Sequence, residues 1–459
     1  MVLNGAIGAK LHVPFSVIIR SSFGYYLAYF CIASRAILAM FWLGIQGANG
    51  AQCVTVMLLA IAPSYGNIRN TLNANSGITS QGMISYFLFW IIQLPILLVP
   101  PTRLRYLFLT KLIVAPTSAI CILVWCVHKA GGVGDIFSLE PTVSGSTKAW
   151  LWLSCMSAVT GSWATLACNI PDFSRYAKSS RGQYIQLPFL PIIFTVYGVF
   201  GIVTTSASKI IYGEYLWNPL DIVAHWLDNG PGGRAAAFFA AFSWYLTTVL
   251  VNVTANSISA SNDLTVMFPR YVNIKRGCII AAVIGGWLLV PWKILSSAES
   301  FLNFMGGYAV FLAPIAGIMA ADYWLVKNQN VDVPALYNPG GRYRYEAGIN
   351  WRAAAAFLLA VVPNLPGLAN DISPTAVFIS DGAQNLYSFD WLYGFAISIV
   401  LYTGLSKLFP ATETLLGSTI YGHENDETSQ LDGEENSAEK GLPTSGTVNA
   451  PQGITLPII

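Results

Sequence analysis

Charge is what this chain has least of. Asp, Glu, Lys and Arg together make up 10% of its 459 residues, against about 25% in an ordinary soluble protein. A soluble fold of this size has no way to cover its surface with so few charges, so a string of water-soluble domains is excluded. There is no basic excess either: 24 Lys+Arg face 22 Asp+Glu, and nucleic acid is not expected as a partner. Cysteine is sparse and scattered. The 7 cysteines stand singly, nearly all in apolar runs, with no CxxC pair. They read as small core residues, not as a disulfide frame or a metal site. The four histidines, His12, His128, His225 and His423, lie far apart and close no zinc motif. No Ser/His/Asp set, Walker loop or GxGxxG stands in a fitting context, so neither an enzyme nor a bound cofactor is expected. The opening MVLNGAIGAKLHVPF lacks a charged segment followed by an apolar core, so no signal peptide is read there.

What is present is apolar length. Hydrophobic residues are 54% of the chain, and a membrane-spanning helix needs about 20 of them in a row. Ten candidate spans emerge: 26–48, 82–100, 107–127, 149–170, 187–211, 235–260, 278–295, 301–326, 353–369 and 390–409. The short apolar stretch 50–62 reads as an extension of the first. The expected class is an all-α polytopic membrane protein embedded in a lipid bilayer. Basic residues alternate between connections. Lys10 and Arg20 precede the first span. Arg103, Arg105 and Lys111 follow the second. Arg175, Lys178 and Arg181 follow the fourth. Arg270, Lys275 and Arg276 follow the sixth. Lys327, Arg342, Arg344 and Arg352 follow the eighth. The positive-inside rule makes this set cytoplasmic, and both chain ends with it. Residues 411–459 are polar and acidic, with Glu424, Asp426, Glu427, Asp432, Glu434, Glu435 and Glu439 crowded together. They are expected to form a disordered cytoplasmic tail. It is either a solvated end without a role or a handle for cytosolic sorting or turnover machinery.

Polar residues at membrane depth are costly, so each requires a reason. Trp42 and Gln46 lie one turn apart and share a helix face. An indole plane beside a carboxamide suits a flat polar heterocycle. The competing reading is a Gln bonded between helices next to a packing Trp. SAVTGS at 157–162 interrupts the fourth span with small residues, Pro171 follows, and Trp163 is a second aromatic wall or merely packing. Asn252, Asn256, Asn262 and Asp263 populate the end of the sixth span. Asn256 can complete a polar clamp with Gln46. Asp263 can take up a proton or anchor an inner gate; the alternative is an interfacial pair with Arg270 or Lys275. Asn252-Val-Thr254 matches a glycosylation sequon but lies inside a span and is discounted. Arg35, mid-span, is expected to pair with a carboxylate or backbone carbonyls, with no role in transport. Leu302, Phe304 and Tyr308 flank the Gly306-Gly307 pair of the eighth span, which suits a mobile gate.

Three long motifs carry a resemblance: NIPDFSRYAKS at 169–179, NVTANSISASNDLTVMFPRYVNIKRG at 252–277 and FLNFMGGYAVFLAPIAGIMAADYWLV at 301–326. From about residue 5 to 410 the chain is similar to the nucleobase–cation symporter-1 family, and most of all to its fungal uracil/allantoin permease branch. The resemblance implies two five-helix inverted repeats plus two further helices, working by alternating access around a central site for uracil, allantoin or a related heterocycle. It also implies roles by position. Trp42 and Gln46 bind substrate, Trp163 stacks on it, and Asn256 hydrogen-bonds it. Asp263 serves proton coupling or gating, and Leu302, Phe304 and Tyr308 filter substrates. Residues 1–22 look like the end of the family's second helix and the cytoplasmic loop after it. The first helix and most of the second are then missing, leaving 23–410 as a ten-span core. Sodium-coupled relatives carry two hydroxyl residues just before the Asn; the matching positions here are Leu250 and Val251, with Thr247 and Thr248 a turn earlier. The expectation is therefore proton symport in the plasma membrane. The alternatives are a truncated fragment that does not transport, or a sodium-coupled carrier of another small solute on the same fold.

Overall fold

A chain in lipid has no water to satisfy its backbone, and helix is the form that closes every N–H and C=O bond within one segment. The computed structural model bears this out. It describes residues 1–421 apart from Pro141 and Ser297. Among the described residues there is no β-strand, only two isolated bridges.

Two short helices open the chain, α1 (Val2–Leu11) and α2 (Phe15–Phe23), bent by 105° to each other. The long α3 (Ala28–Ile61) follows, then α4 (Ser80–Leu97) and α5 (Arg105–Ala130). A broken span is made of α6 (Gly145–Gly161), α7 (Ala164–Asn169) and α8 (Pro171–Ser174). Beyond it lie α9 (Gln186–Tyr212), the short α10 (Pro219–Ala224), and α11 (Gly230–Val251), which passes through a π-helical turn at Asn252–Ile258 into α12 (Ser259–Met267). The remaining helices are α13 (Ile274–Val283), α14 (Ala298–Ala321), α15 (Trp351–Val361), α16 (Leu365–Ile372), α17 (Asp381–Tyr387) and α18 (Asp390–Leu408). Side-chain caps start several of them: Thr79 accepts from Gly82 N, Asn273 from Arg276 N and Asn350 from Arg352 N. Left-handed Gly131 and Gly213 end α5 and α9.

All ten expected spans are helical, but not all are continuous. Among the described residues, eight helices are long and apolar enough to cross a membrane, and the bent α1–α2 pair makes up to nine. The first span does run on to Ile61. The two spans that fail the length criterion are interrupted. The fourth breaks at Ser162 and Trp163, where small residues offer the helix little to pack against. The seventh rewinds into a π-helical turn at Ile284–Leu288, and the backbone then reaches φ 46° at Val290 before Pro291.

α3 is the axis of the bundle, packed against α4, against the α11–α12 rod and against the π turn after α13; α14 packs along α18 and is largely buried from Ala309 onward. The π turn comes very close to α3. A Cβ on Gly44 would overlap the Gly285 carbonyl, and one on Gly285 would overlap the Met40 carbonyl. Backbone cannot yield as a flexible side chain does. Gly44→Ala is expected to destabilise the chain by about 1–3 kcal/mol, read as a lower melting temperature of the purified protein; an unchanged melt would remove this contact from the packing argument.

The basic end of the bundle departs from the sequence reading twice. Residues 15–23, expected in a loop, form α2, whose side chains are buried. Pro14 precedes the helix, its ring setting φ at the N-cap; Phe15, Ile18, Ile19 and Phe23 bury the helix's apolar side in the core, and Arg20, Ser21 and Ser22 bury its polar side in hydrogen bonds. The tail expected from residue 411 onward is not free at its start. Val333 N donates to Ile420 O (2.9 Å) and Ile420 N to Val331 O (3.0 Å), so this stretch lies as a strap on the loop after α14. Backbone pairing of this kind needs no apolar side chain, which is why composition missed it. The acidic stretch from residue 422 lies outside the described residues. The same loop grips α2 and the residues after it: Tyr25 N donates to Tyr343 O, Tyr26 N to Gly348 O and Arg20 to Leu336 O. Beneath it, buried Lys327 bonds Asp322 (2.9 Å), the Ser21 hydroxyl (2.6 Å) and the Ser21 carbonyl (2.7 Å), while Tyr402 donates to the other Asp322 oxygen (2.7 Å).

Candidate substrate site

Trp42 faces α14. Its ring meets Phe304 and Tyr308 edge-on, with centroids 6.3 Å and 6.4 Å away, and Phe41 meets Phe304 at 5.4 Å. Tyr308 extends this cluster to the broken span, its hydroxyl donating to Gly161 O at 3.0 Å beside the break. Three expected residues, Trp42, Phe304 and Tyr308, are thus brought together next to an interrupted helix. The side chain of Leu302 falls outside the described residues. α14 runs unbroken through the Gly306-Gly307 pair, and the two glycines give room to Tyr387 and Leu368. Trp163 sits in the break itself, its ring edge-on to Phe194 of α9 at 4.6 Å. The N-terminal half of the broken span, α6, is fixed separately: the Ser157 hydroxyl donates to Asp390 and accepts from Trp391 N at the start of α18.

The partner of this α3 face is the α11–α12 rod, and two rungs set their register. At one, Arg35 Nη2 donates to Ser259 O at 2.7 Å; at the other, Asn252 Nδ2 donates to Leu43 O at 3.2 Å. Asn256 lies between the rungs, on the stretch of the rod that faces the Trp42 turn. Gln46 lies beyond the Leu43–Asn252 rung. Asn256 therefore does not close directly on Gln46. Its Nδ2 donates to Asn252 Oδ1 (2.7 Å), and Asn252 also donates to Gln93 Oε1 on α4 (3.1 Å). The result is a row of three carboxamides at membrane depth, all at least nine-tenths buried. The π turn inserts an extra residue per turn here, as at many functional sites. Gln46 is half-buried, and among the described residues nothing hydrogen-bonds its amide. Gln93 was overlooked in the sequence, although a Gln inside an otherwise apolar span was itself the signal.

Asp263 is fully buried, and neither Arg270 nor Lys275, both exposed, pairs with it. Its partner is Arg35, in direct ion-pair contact. The pairing expected with interfacial Arg270 or Lys275 fails because Asp263 points along the α3–α12 seam, towards the one cation at its own depth. Arg35 meets a second carboxylate, Asp172, at 3.5 Å, whose other oxygen accepts from Phe15 N at 2.9 Å, at the start of α2. Asn169, turned so that both ends of its amide are satisfied, accepts from Arg35 Nη1 at 3.1 Å. One guanidinium thus ties together α2, α3, the inner end of the broken span and α12. Asp172 was also missed as a site residue; it stood in a motif valued only for resemblance.

A broken helix, a half-buried indole and a carboxamide row at one depth describe a solute site in a membrane bundle, and comparison with known proteins bears on which kind. Residues 1–394 match the family model described as permease for cytosine/purines, uracil, thiamine and allantoin. The chain belongs to the nucleobase–cation symporter-1 family. An uncharacterized permease of Schizosaccharomyces pombe is 40% identical over 92% of the chain and 75% of its own length. The allantoin permease and the uracil permease of Saccharomyces cerevisiae are 32% and 31% identical, over 90% and 89% of the chain and 66% of each permease. Among solved structures, the family transporter Mhp1 in a closed conformation with bromovinylhydantoin bound matches with a TM-score of 0.66 at 21% identity, over 89% of the chain and 83% of Mhp1. That likeness shows the fold. This symporter-family chain is an integral membrane permease, not an enzyme, and its family transports small heterocyclic solutes.

Proposed function

We propose that the chain imports a neutral planar heterocycle of the uracil or allantoin class, together with a proton, across the plasma membrane. The observation that carries this reading is the buried carboxamide row Gln93–Asn252–Asn256 opposite the Trp42 turn. A cyclic amide or ureide presents N–H donors and C=O acceptors in one plane, and carboxamides answer both. The indoles of Trp42 and Trp163 are the stacking surfaces, and the Gln46 amide is the group left to bind solute. Phe304 and Tyr308, with Leu302, are the gate that filters it.

Asp263 is the coupling group in this reading. Two carboxylates face one guanidinium in a dry seam. With both ionised the cluster carries an uncompensated negative charge, which burial disfavours. A proton on Asp263 neutralises it and loosens the tie between α3 and α12, two turns from Asn256. Each charge moved inward across 100 mV supplies about 2.3 kcal/mol, enough for more than tenfold accumulation.

Uptake of radiolabelled uracil and allantoin by permease-null yeast expressing the chain tests this. Uptake is expected to rise as the medium is acidified, to collapse with a protonophore, and to vanish in Asn256→Ala. Asp263→Asn is expected to exchange solute without accumulating it. Normal accumulation by Asp263→Asn removes its coupling role, and uptake driven by sodium alone replaces the proton reading with a sodium-coupled carrier. A chain that reaches the membrane and takes up nothing is the non-transporting alternative.

A further inference from the structure

At the end of the bundle opposite the basic connections, an open cavity of about 310 Å³ is bordered by four stretches far apart in sequence: the later turns of α3, residues 77–82, α10 and the turn Pro291–Ser296. Gln52 and Thr55 line it from α3, Thr79 and Gln81 from the start of α4, Asp221 from α10, and Trp292 from the turn. Gln52 stands about 15 Å along α3 from Trp42 and about a quarter-turn round the helix. The cavity is therefore separate from the carboxamide row.

Its chemistry differs too. Asp221 is the only ionisable side chain among the described residues that line it. Its carboxylate is half-buried and takes no hydrogen bond or ion pair among the described residues. Burial pushes this carboxyl above its usual range, and nearby His225 only partly offsets that. A half-desolvated anion without a partner is an energetic cost that a bound cation would relieve. Trp292 provides a rigid aromatic wall, held edge-on against Tyr86 (5.2 Å) and Trp287 (6.3 Å). Gln52 accepts from Asn218 at 2.8 Å, which leaves its amide N–H groups for a ligand, and Gln81 donates to Tyr65 O, which leaves its carbonyl. A carboxylate and an indole lining one cavity favour positive charge on a flat ring, and the volume suits a small molecule.

We infer that this cavity is a second solute site, specific for a monocationic nitrogen heterocycle, with Asp221 and Trp292 as its charge and stacking partners. The inference does not depend on the uracil or allantoin reading of the Trp42 site. Thiamine, whose thiazolium ring carries a fixed positive charge, is the probe. Equilibrium binding of radiolabelled thiamine to the purified full chain in lipid nanodiscs is expected to show one saturable site that survives Asn256→Ala. Asp221→Asn and Trp292→Ala are each expected to weaken it roughly tenfold. Gln52→Leu, which keeps the charge of the site, serves as a further variant if Asp221→Asn is not monodisperse, and it too is expected to weaken binding. No saturable binding, binding indifferent to these substitutions, or binding lost in Asn256→Ala alone would each overturn the inference. Failure of the Trp42 reading shows instead in uracil and allantoin uptake, which the Asp221 and Trp292 variants are not needed to measure.

Discussion

Arg35→Met is expected to destabilise the folded chain by about 3–5 kcal/mol, the usual cost of removing one partner from a buried ion pair. The guanidinium is fully buried and answers Asp263, Asp172 and the Ser259 carbonyl together. Without it, two fully buried carboxylates lose the guanidinium they share. α2 is affected as well, because Asp172 also binds Phe15 N at its start. The expected result is a large fall in melting temperature and poor recovery of monodisperse protein. The cause is separable from lost packing. Arg35→Met combined with Asp263→Asn and Asp172→Asn removes the uncompensated charges and is expected to regain most of the stability. If the triple variant melts no higher than Arg35→Met, the loss is one of packing and the electrostatic account of the seam fails.

The second large effect is expected at the basic end. Lys327→Met leaves Asp322 buried with only hydroxyl donors from Ser21, Ser22 and Tyr402. A cost of about 3 kcal/mol follows, at the low end of the range for a broken buried pair because those donors remain. Lys327 also holds the Ser21 carbonyl, so its loss loosens the end of α2 against the loop after α14, leaving the Tyr345 and Asn350 bonds to Ser21 and Ser22. Limited proteolysis is expected to cut residues 328–350 faster in this variant than in the parent chain. Lys327→Met with Asp322→Asn is expected to recover stability but not the grip on Ser21. Equal cleavage rates in parent and variant would show that the other bonds between the loop and residues 20–26 hold it without Lys327.

The two predictions concern residues that sequence reading handled differently from the spans, and the reason is physical. Hydropathy is a local property, so α3, α14 and the remaining long helices were legible from composition in a window. Depth matching is not local. Arg35 and Asp263 are far apart in the chain, and only the antiparallel register of α3 against α12 sets them at one level. Asp263 was therefore weighed against Arg270 and Lys275, its neighbours in sequence, which the structure leaves exposed. The Asn252–Asn256 bond spans four residues and lies within ordinary helical spacing; what depth matching alone could supply is the reach of Asn252 across to Leu43 and Gln93. The break at Ser162 and Trp163 was readable because small residues and glycine inside an apolar run are a compositional signal. The strap at residues 411–421 was not, because its polar composition matched disorder while backbone bonds to Val331 and Val333 hold it. Gln93 and Asp172 carried a readable signal, a polar or charged group beside apolar sequence, which was passed over.

The central claim is that the α3 face bearing Trp42 and Gln46 and the facing stretch bearing Asn256 grip one heterocycle between them. Direct binding of radiolabelled uracil and allantoin to the purified chain, measured for the parent, Gln46→Ala and Asn256→Ala, tests it without relying on transport. One of the two solutes is expected to bind saturably to the parent and at least tenfold more weakly to each variant, with melting temperatures little changed. Equal affinity in all three proteins would contradict the account.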